Sequence, residues 1–182
     1  MKKLLLLVLL LPCFASAEPT IFGLEIGKAL TLPKCPISPR FKDVDLFGQT
    51  ETCLWERGTS ALIVFPNDKR PAIGKSPSIG ATVRYGVLQG LTIYTFGAAS
   101  QESVFSALQE KFGKPSKASK TAAQNLYGAQ FEKINAIWEQ PTVTVEFWGV
   151  ETKVDTGVVW VETPEARAAR IAEVTKPKGA AL

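Results

Sequence analysis

The chain has 182 residues with 21 basic and 17 acidic side chains, and it contains no histidine. The absence of histidine excludes Ser-His-Asp and Cys-His nucleophilic catalysis and the usual zinc-ligand sets. The net charge is +4, and it falls to +2 without Lys2 and Lys3, which is too small for a nucleic-acid-binding surface. Neither of the glycine-rich phosphate-binding patterns, GxGxxG and GxxxxGK[S/T], occurs. We therefore expect no metal, no cofactor and no nucleic-acid partner.

Residues 1–17 have the layout of a secretory signal peptide. Two lysines precede the apolar run Leu4–Phe14, and the small residues Ala15–Ala17 are typical of a cleavage site. The apolar run is shorter than the roughly 20 residues that a membrane span needs. We therefore expect cleavage near Ala17/Glu18, a periplasmic or secreted protein, and no transmembrane segment in the mature chain.

The cysteines point to one disulfide bond. Cys13 lies inside the predicted signal peptide, and Pro12 stands before it where a lipoprotein needs a small residue, so we favour cleavage over lipidation. Cys35 and Cys53 remain, and an even number of cysteines in an exported chain indicates a disulfide. A loop of this size adds roughly 3 kcal/mol of stability in the chain-entropy view.

The first half of the mature chain reads as strands and loops. Residues 21–27 predict a short strand or turn, and residues 28–32 one helical turn. Ala61–Phe65 is an apolar run typical of a buried strand, and residues 66–80 form a loop rich in proline and glycine. Alternating apolar residues between positions 81 and 96 predict a β-hairpin whose turn is Leu88-Gln89-Gly90.

Two helices have clear boundaries. Ser100 is placed to cap a helix with a single apolar face, and Gly113 ends it. The apolar face consists of Val104, Phe105, Leu108 and Phe112. Thr163 and Pro164 begin a second helix that continues to about Val174.

Three strands lie between the helices, after a polar connection at residues 114–125. They cover about Gln130–Trp138, Thr142–Trp148 and Val158–Glu162 and form an antiparallel meander. We therefore predict an α+β fold: an antiparallel sheet of about five to six strands packed with one or two helices and one disulfide. A single domain at residues 18–175 is followed by a flexible tail, residues 176–182.

Three short motifs resemble uncharacterised small secreted proteins of Gram-negative bacteria: Gly23–Lys28, Leu32–Cys35 and Lys111–Pro115. The resemblance implies an exported protein with a disulfide and carries over no catalytic residue. The opening Gly23–Gly27, with its Gly-x-x-x-Gly pattern, is also similar to the α+β modules of envelope-assembly lipoproteins and of the β-lactamase inhibitor protein. Those modules bind other proteins, although this chain lacks the lipoprotein cysteine of the first group and the duplicated architecture of the second.

The alternation of the last strands predicts a candidate binding surface. If Glu146 pairs with Trp160 and Thr144 with Glu162, then one sheet face is apolar core and the other carries two carboxylates and two tryptophans. The apolar face would hold Val143, Val145, Phe147, Val159 and Val161. The candidate binding surface would hold Glu146, Trp148, Trp160, Glu162 and, by extension through the preceding turn, Trp138 and Ile134.

Several functions remain open on this surface. The tryptophans are core if the second helix covers them, and otherwise they form an aromatic surface for a protein or glycan. We expect a non-catalytic binding protein that contacts another envelope protein. The alternatives are a carbohydrate or cell-wall binding protein and a glycosidase that uses Glu146 and Glu162.

Two groups of basic residues have simpler interpretations. Lys114, Lys117 and Lys120 read as a solvated connection, with anion binding as the alternative. Arg167 and Arg170 read as the charged outer face of the second helix, with contact to acidic lipid headgroups as the alternative.

Overall fold

The structure, a computed structural model, describes residues 20–58, 60–124 and 128–176. An eight-stranded antiparallel sheet and two helices make up most of these residues. The predicted α+β class with an antiparallel sheet and one disulfide is confirmed, but the sheet has more strands than expected. The predicted signal peptide and all of the predicted tail except Lys176 lie outside the described residues.

Strands dominate the first half of the chain, and the α-helices lie in the second half. The first half contains β1 (Thr20–Ile21), β2 (Leu24–Glu25), β3 (Ile37–Ser38), β4 (Asp43–Val44), β5 (Cys53–Arg57), β6 (Ser60–Val64), β7 (Ser78–Arg84) and β8 (Val87–Thr95). The second half contains α1 (Gln101–Phe112), β9 (Lys117–Gln124), β10 (Gln130–Glu139), β11 (Thr144–Trp148), β12 (Gly157–Glu162) and α2 (Pro164–Thr175). The order of strands in the main sheet is β5-β6-β7-β8-β12-β11-β10-β9.

The two strands that raise the number to eight are its edges, β5 and β9. The prediction of a polar connection at residues 114–125 is wrong for Lys117–Gln124, which form the strand β9. Its sequence, KASKTAAQ, has no apolar alternation, because both faces of this edge strand are largely exposed to solvent. Hydrogen bonding to β10, rather than side-chain burial, defines it as a strand.

The predicted turn of the β7–β8 hairpin is also wrong. The turn lies at Tyr85–Gly86, where φ is +53° and +75°, and Leu88 is a buried strand residue. Gly90 is needed for close packing instead, since a Cβ atom there would lie 3.0 Å from Cγ of Glu162. The predicted helical turn at residues 28–32 is absent, because this segment lies against β8 with the Leu30 amide donating to the Gly86 carbonyl over 2.8 Å.

Both helices begin and end close to the predicted residues. α1 follows Ser100 and stops at Gly113, whose φ of +77° suits glycine, although the Ser100 side chain makes no capping hydrogen bond. The Thr163 hydroxyl caps α2 by accepting a hydrogen bond from the Ala166 amide over 3.2 Å. α1 packs its apolar residues on the sheet face that we call the inner face.

The disulfide between Cys35 and Cys53 is confirmed. It packs with Val44 and Val64 in a small second cluster, apart from the main core. This cluster secures the loop that carries the β3–β4 hairpin and has few other apolar contacts. None of the helices in the described parts of the chain is long and apolar enough to cross a membrane.

Candidate functional site

The register of β11 and β12 places the candidate residues on one face of the sheet. Glu146 lies opposite Trp160, and Thr144 lies opposite Glu162, as the alternation predicted. Val145 and Phe147 point to the inner face and are fully buried. Glu146, Trp148, Trp160 and Glu162 therefore share the opposite face, which we call the outer face.

Trp138 and Ile134 do not belong to this surface, so their predicted placement is wrong. Trp138 pairs with Val145 and lies on the inner face at 1% exposure, where its indole N–H donates to the Gly113 carbonyl over 2.8 Å. The reason is the loop at residues 140–143: because it has an even number of residues, an odd-numbered residue of β10 faces each even-numbered residue of β11. Ile137 is consequently the neighbour of Glu146.

A buried ion-pair network lies at one end of the outer face. Nη2 of Arg170 donates to Oε2 of Glu146 over 2.8 Å, and its Nε donates to Oε2 of Glu162 over 2.9 Å. Arg167 adds a weaker contact to Glu146 at 3.4 Å. One guanidinium group of α2 therefore bridges two carboxylates that are only 8% and 5% exposed.

Burial dominates the electrostatics of this network. Loss of hydration raises the pKa of Glu162, and the nearby charge of Glu146 acts in the same direction. Hydrogen bonding and attraction to Arg170 oppose the increase in pKa. Removing one partner from such a network typically costs about 3–5 kcal/mol, because it leaves a buried charge without compensation.

Trp148 and Trp160 stand beside the network and are held by it. Their rings meet edge to face with centroids 5.2 Å apart. The indole N–H of Trp148 donates to Oε1 of Glu146 over 3.0 Å, and the guanidinium of Arg170 lies 4.3 Å from the ring centroid of Trp160. The Trp148 ring is therefore oriented by a buried carboxylate, and the Trp160 ring is covered by the guanidinium that binds this carboxylate.

The ring of Trp148 remains accessible even though α2 covers the carboxylates. Trp148 is 40% exposed, Trp160 is half-buried, and Tyr94 is 50% exposed. Tyr94 and Trp148 lie on either side of Val158 in neighbouring strands, so all three aromatic residues lie in the same region of the outer face. We call Tyr94, Trp148 and Trp160 the aromatic patch.

A shallow cavity of about 160 Å³ adjoins the aromatic patch on the side of β9. Trp148 forms one wall, and Asn135, Ile137, Ser119 and Lys117 contribute to the rest. The cavity combines an aromatic ring with an amide, a hydroxyl and a cation. A larger cleft of about 590 Å³ lies near the opposite sheet edge, between the β5–β6 and β7–β8 hairpins, and its lining includes Glu56, Arg84 and Tyr85.

The sequence interpretation missed the roles of the basic residues. Arg167 and Arg170 face the sheet instead of the solvent, and the usable signal was their spacing of three residues on a helix that starts just after Glu162. Lys117 and Lys120 do not form one cluster. Lys117 lines the outer-face cavity, whereas Lys120 binds Glu102 over 2.9 Å, a hydrogen bond that raises its pKa.

No protein-family model, curated protein or solved structure matches this chain. Its function therefore has to be inferred from the site itself. Within the described residues, no group of three or more cysteine, aspartate or glutamate side chains is arranged to hold a metal ion.

Proposed function

We propose that this chain is a non-catalytic, exported binding protein whose aromatic patch contacts another protein of the cell envelope. The observation that carries the proposal is the exposed ring of Trp148, whose indole N–H is fixed by the buried carboxylate of Glu146. Tryptophan and tyrosine are enriched among the residues that contribute most to protein interfaces. A ring that is already oriented loses little conformational entropy when a partner binds.

The ion-pair network supports this proposal because it is a poor device for stability alone. Well-packed apolar residues are often as stabilising as a buried arrangement of charges. In this chain the network orients exposed rings: Glu146 anchors Trp148, and Arg170 lies over Trp160. A surface prepared for a partner accounts for both the buried charges and the exposed rings.

The proposed location is the periplasm or the extracellular space. The Cys35–Cys53 disulfide is consistent with an oxidising compartment, where such bonds persist. The signal-peptide pattern of residues 1–17 is the second support. N-terminal sequencing of the exported protein should begin at Glu18, and a protein retained in the cytoplasm at full length would contradict this location.

The proposal excludes glycoside hydrolysis by Glu146 and Glu162 on chemical grounds. A glycosidase needs one protonated carboxyl group and one carboxylate, both accessible to the sugar and roughly 5–9.5 Å apart. In this chain, Glu146 and Glu162 both accept hydrogen bonds from Arg170 and are covered by α2. We expect the mature protein to be inactive on peptidoglycan and on oligosaccharides.

Cell-wall glycan is the second candidate ligand, and the cavity beside Trp148 favours it. Ligand sites commonly combine an apolar wall with a few polar groups that fix orientation. Asn135 and Ser119 provide such groups next to the ring. A glycan-binding protein should sediment with purified sacculi, whereas a protein-binding module should not.

A photo-crosslinking experiment separates these possibilities. A photoreactive phenylalanine derivative replaces Tyr94 in the aromatic patch or, as a matched control, the fully exposed Tyr85 in the β7–β8 turn. We expect one abundant envelope protein to be crosslinked in intact cells from position 94 and not from position 85. Equal crosslinking from both positions, or no protein adduct together with binding to sacculi, would reject the protein-binding proposal.

A further inference from the structure

The two edge strands of the main sheet differ in whether their outward backbone groups have hydrogen-bond partners. The β5 edge is covered by the preceding segment, because the Leu54 amide donates to the Pro33 carbonyl over 2.8 Å and the Cys35 amide donates to the Leu54 carbonyl over 2.9 Å. β9 pairs with β10 on one side only. Among the described residues, nothing forms backbone hydrogen bonds with its other side.

β9 is well formed for a strand that has no outer neighbour. Its register with β10 is continuous from Lys117 to Gln124, without a bulge. It contains no proline, and five of its side chains are alanine, serine or threonine. Proteins usually protect an edge by shortening it, bending it, covering it or placing charge on it, and β9 relies on two lysines alone.

We propose that β9 is a docking edge that accepts an extended, acidic segment of the partner protein as a ninth strand of the sheet. This inference rests on the proposed function, because it names the part of the partner that the chain recognises. Backbone hydrogen bonds to an open edge supply affinity in this mode, and side chains on alternate positions supply specificity.

Charge selects an acidic segment as the occupant. Lys117 of β9 and Lys133 of β10, which lies opposite Thr121, place two cations on the outer face, and β9 contains no acidic residue. Lys120 lies on the other face of β9 and is already paired with Glu102. Among the described residues, Lys117 and Lys133 form no ion pair. A second copy of β9 would bring lysines but no acidic side chain to the edge, so it lacks the complementary charge that an acidic segment supplies.

The position of β9 connects the docking edge with the aromatic patch. The cavity beside Trp148 extends to Lys117 and Ser119 of β9. Strands are spaced about 4.8 Å apart, so a ninth strand would lie about 14 Å from β11, which carries Trp148. A partner anchored at the edge can therefore cover the aromatic patch with its folded part.

The first test uses synthetic peptides of the length of β9. The acidic probe is Glu-Val-Glu-Thr-Glu-Val-Glu-Thr, and its matched control replaces every glutamate by lysine. We expect the acidic peptide to bind at least about tenfold more tightly at low salt, with protection of β9 amides from hydrogen exchange. The absence of binding at millimolar concentration, or equal binding of both peptides, would overturn the proposal.

A pair of proline variants tests the edge directly. Adjacent residues of an edge strand direct their amide groups in opposite directions, so Ala122→Pro and Ala123→Pro remove one outward and one inward N–H. The variant that loses the outward N–H should keep the thermal stability of the native protein and lose peptide binding. Native binding by that variant, shown to be folded by its melting curve, would contradict strand addition.

The same variants distinguish this inference from the proposed function. If crosslinking from position 94 persists in the outward-amide variant, the aromatic patch binds a partner but β9 is not the docking edge. If peptide binding persists in Trp148→Ala while crosslinking from position 94 is absent in the native protein, the edge binds acidic strands and the aromatic patch is not the interface.

Discussion

The guanidinium group of Arg170 lies 4.3 Å from the ring centroid of Trp160. The same group donates hydrogen bonds to Glu146 and Glu162, so one side chain of α2 satisfies two buried carboxylates and covers one aromatic ring. The helix α2, the two carboxylates and the two tryptophans are therefore connected by direct contacts. Substitutions of these residues should have unequal and predictable effects.

Arg170→Ala should destabilise the protein by about 3–5 kcal/mol, because it leaves two buried carboxylates without their shared partner. Urea denaturation followed by tryptophan fluorescence measures this loss. Arg167→Ala is the matched control, since Arg167 makes one contact at 3.4 Å, and it should cost about 1 kcal/mol or less. Equal losses for the two variants would contradict the bridging role of Arg170.

Trp138→Ala and Trp148→Ala should lower the stability of the protein by different amounts, because Trp138 is a core residue and Trp148 a surface residue. Trp138 is buried on the inner face beside Phe105, so its truncation should cost about 3–5 kcal/mol. Trp148 loses one hydrogen bond and part of an exposed ring, and we expect a loss of about 1 kcal/mol. A large loss of thermal stability in Trp148→Ala would reject the binding role of the aromatic patch.

The sequence predicted the pairing of Glu146 with Trp160 because apolar and polar residues alternate from Val143 to Phe147 and from Val159 to Glu162. The sequence placed Trp138 on the wrong face. The face to which a residue of β10 points, relative to β11, depends on the number of residues in the loop between the two strands, and apolar periodicity does not give that number. β9 was missed because an exposed edge strand has no apolar pattern. The Arg170 bridge was missed because a charged helix face looks the same whether it meets water or buried carboxylates.

Removal of the disulfide by the double substitution Cys35→Ala and Cys53→Ala should lower the unfolding free energy by roughly 3 kcal/mol. The bond closes a loop with few apolar contacts besides Val44 and Val64. Guanidinium denaturation measures the loss, and hydrogen exchange should increase mainly between residues 36 and 52. Increased exchange in β11 or β12 as well would show that the loop supports the aromatic patch.

The last prediction concerns pH and Glu162. Because burial raises its pKa in the folded state, the folded protein holds this proton at pH values where the unfolded chain has released it. The contribution of Glu162 to stability should therefore fall as the pH rises from about 4.3, the ordinary value for glutamate, through the raised pKa of the folded state. Urea denaturation of the native protein and of Glu162→Gln from pH 4 to 7 isolates this contribution.

We expect the native protein to lose stability relative to Glu162→Gln as the pH rises through that interval, and the difference to be constant above it. Asp155 acts in the other direction: its lowered pKa, due to Thr156 and Lys75, makes stability fall on acidification below its ordinary range. Asp155 is present in both proteins, so its effect cancels in the difference between them, and the difference reports Glu162 alone. A difference that stays constant from pH 4 to 7 would show that Arg170 fully compensates the burial of Glu162.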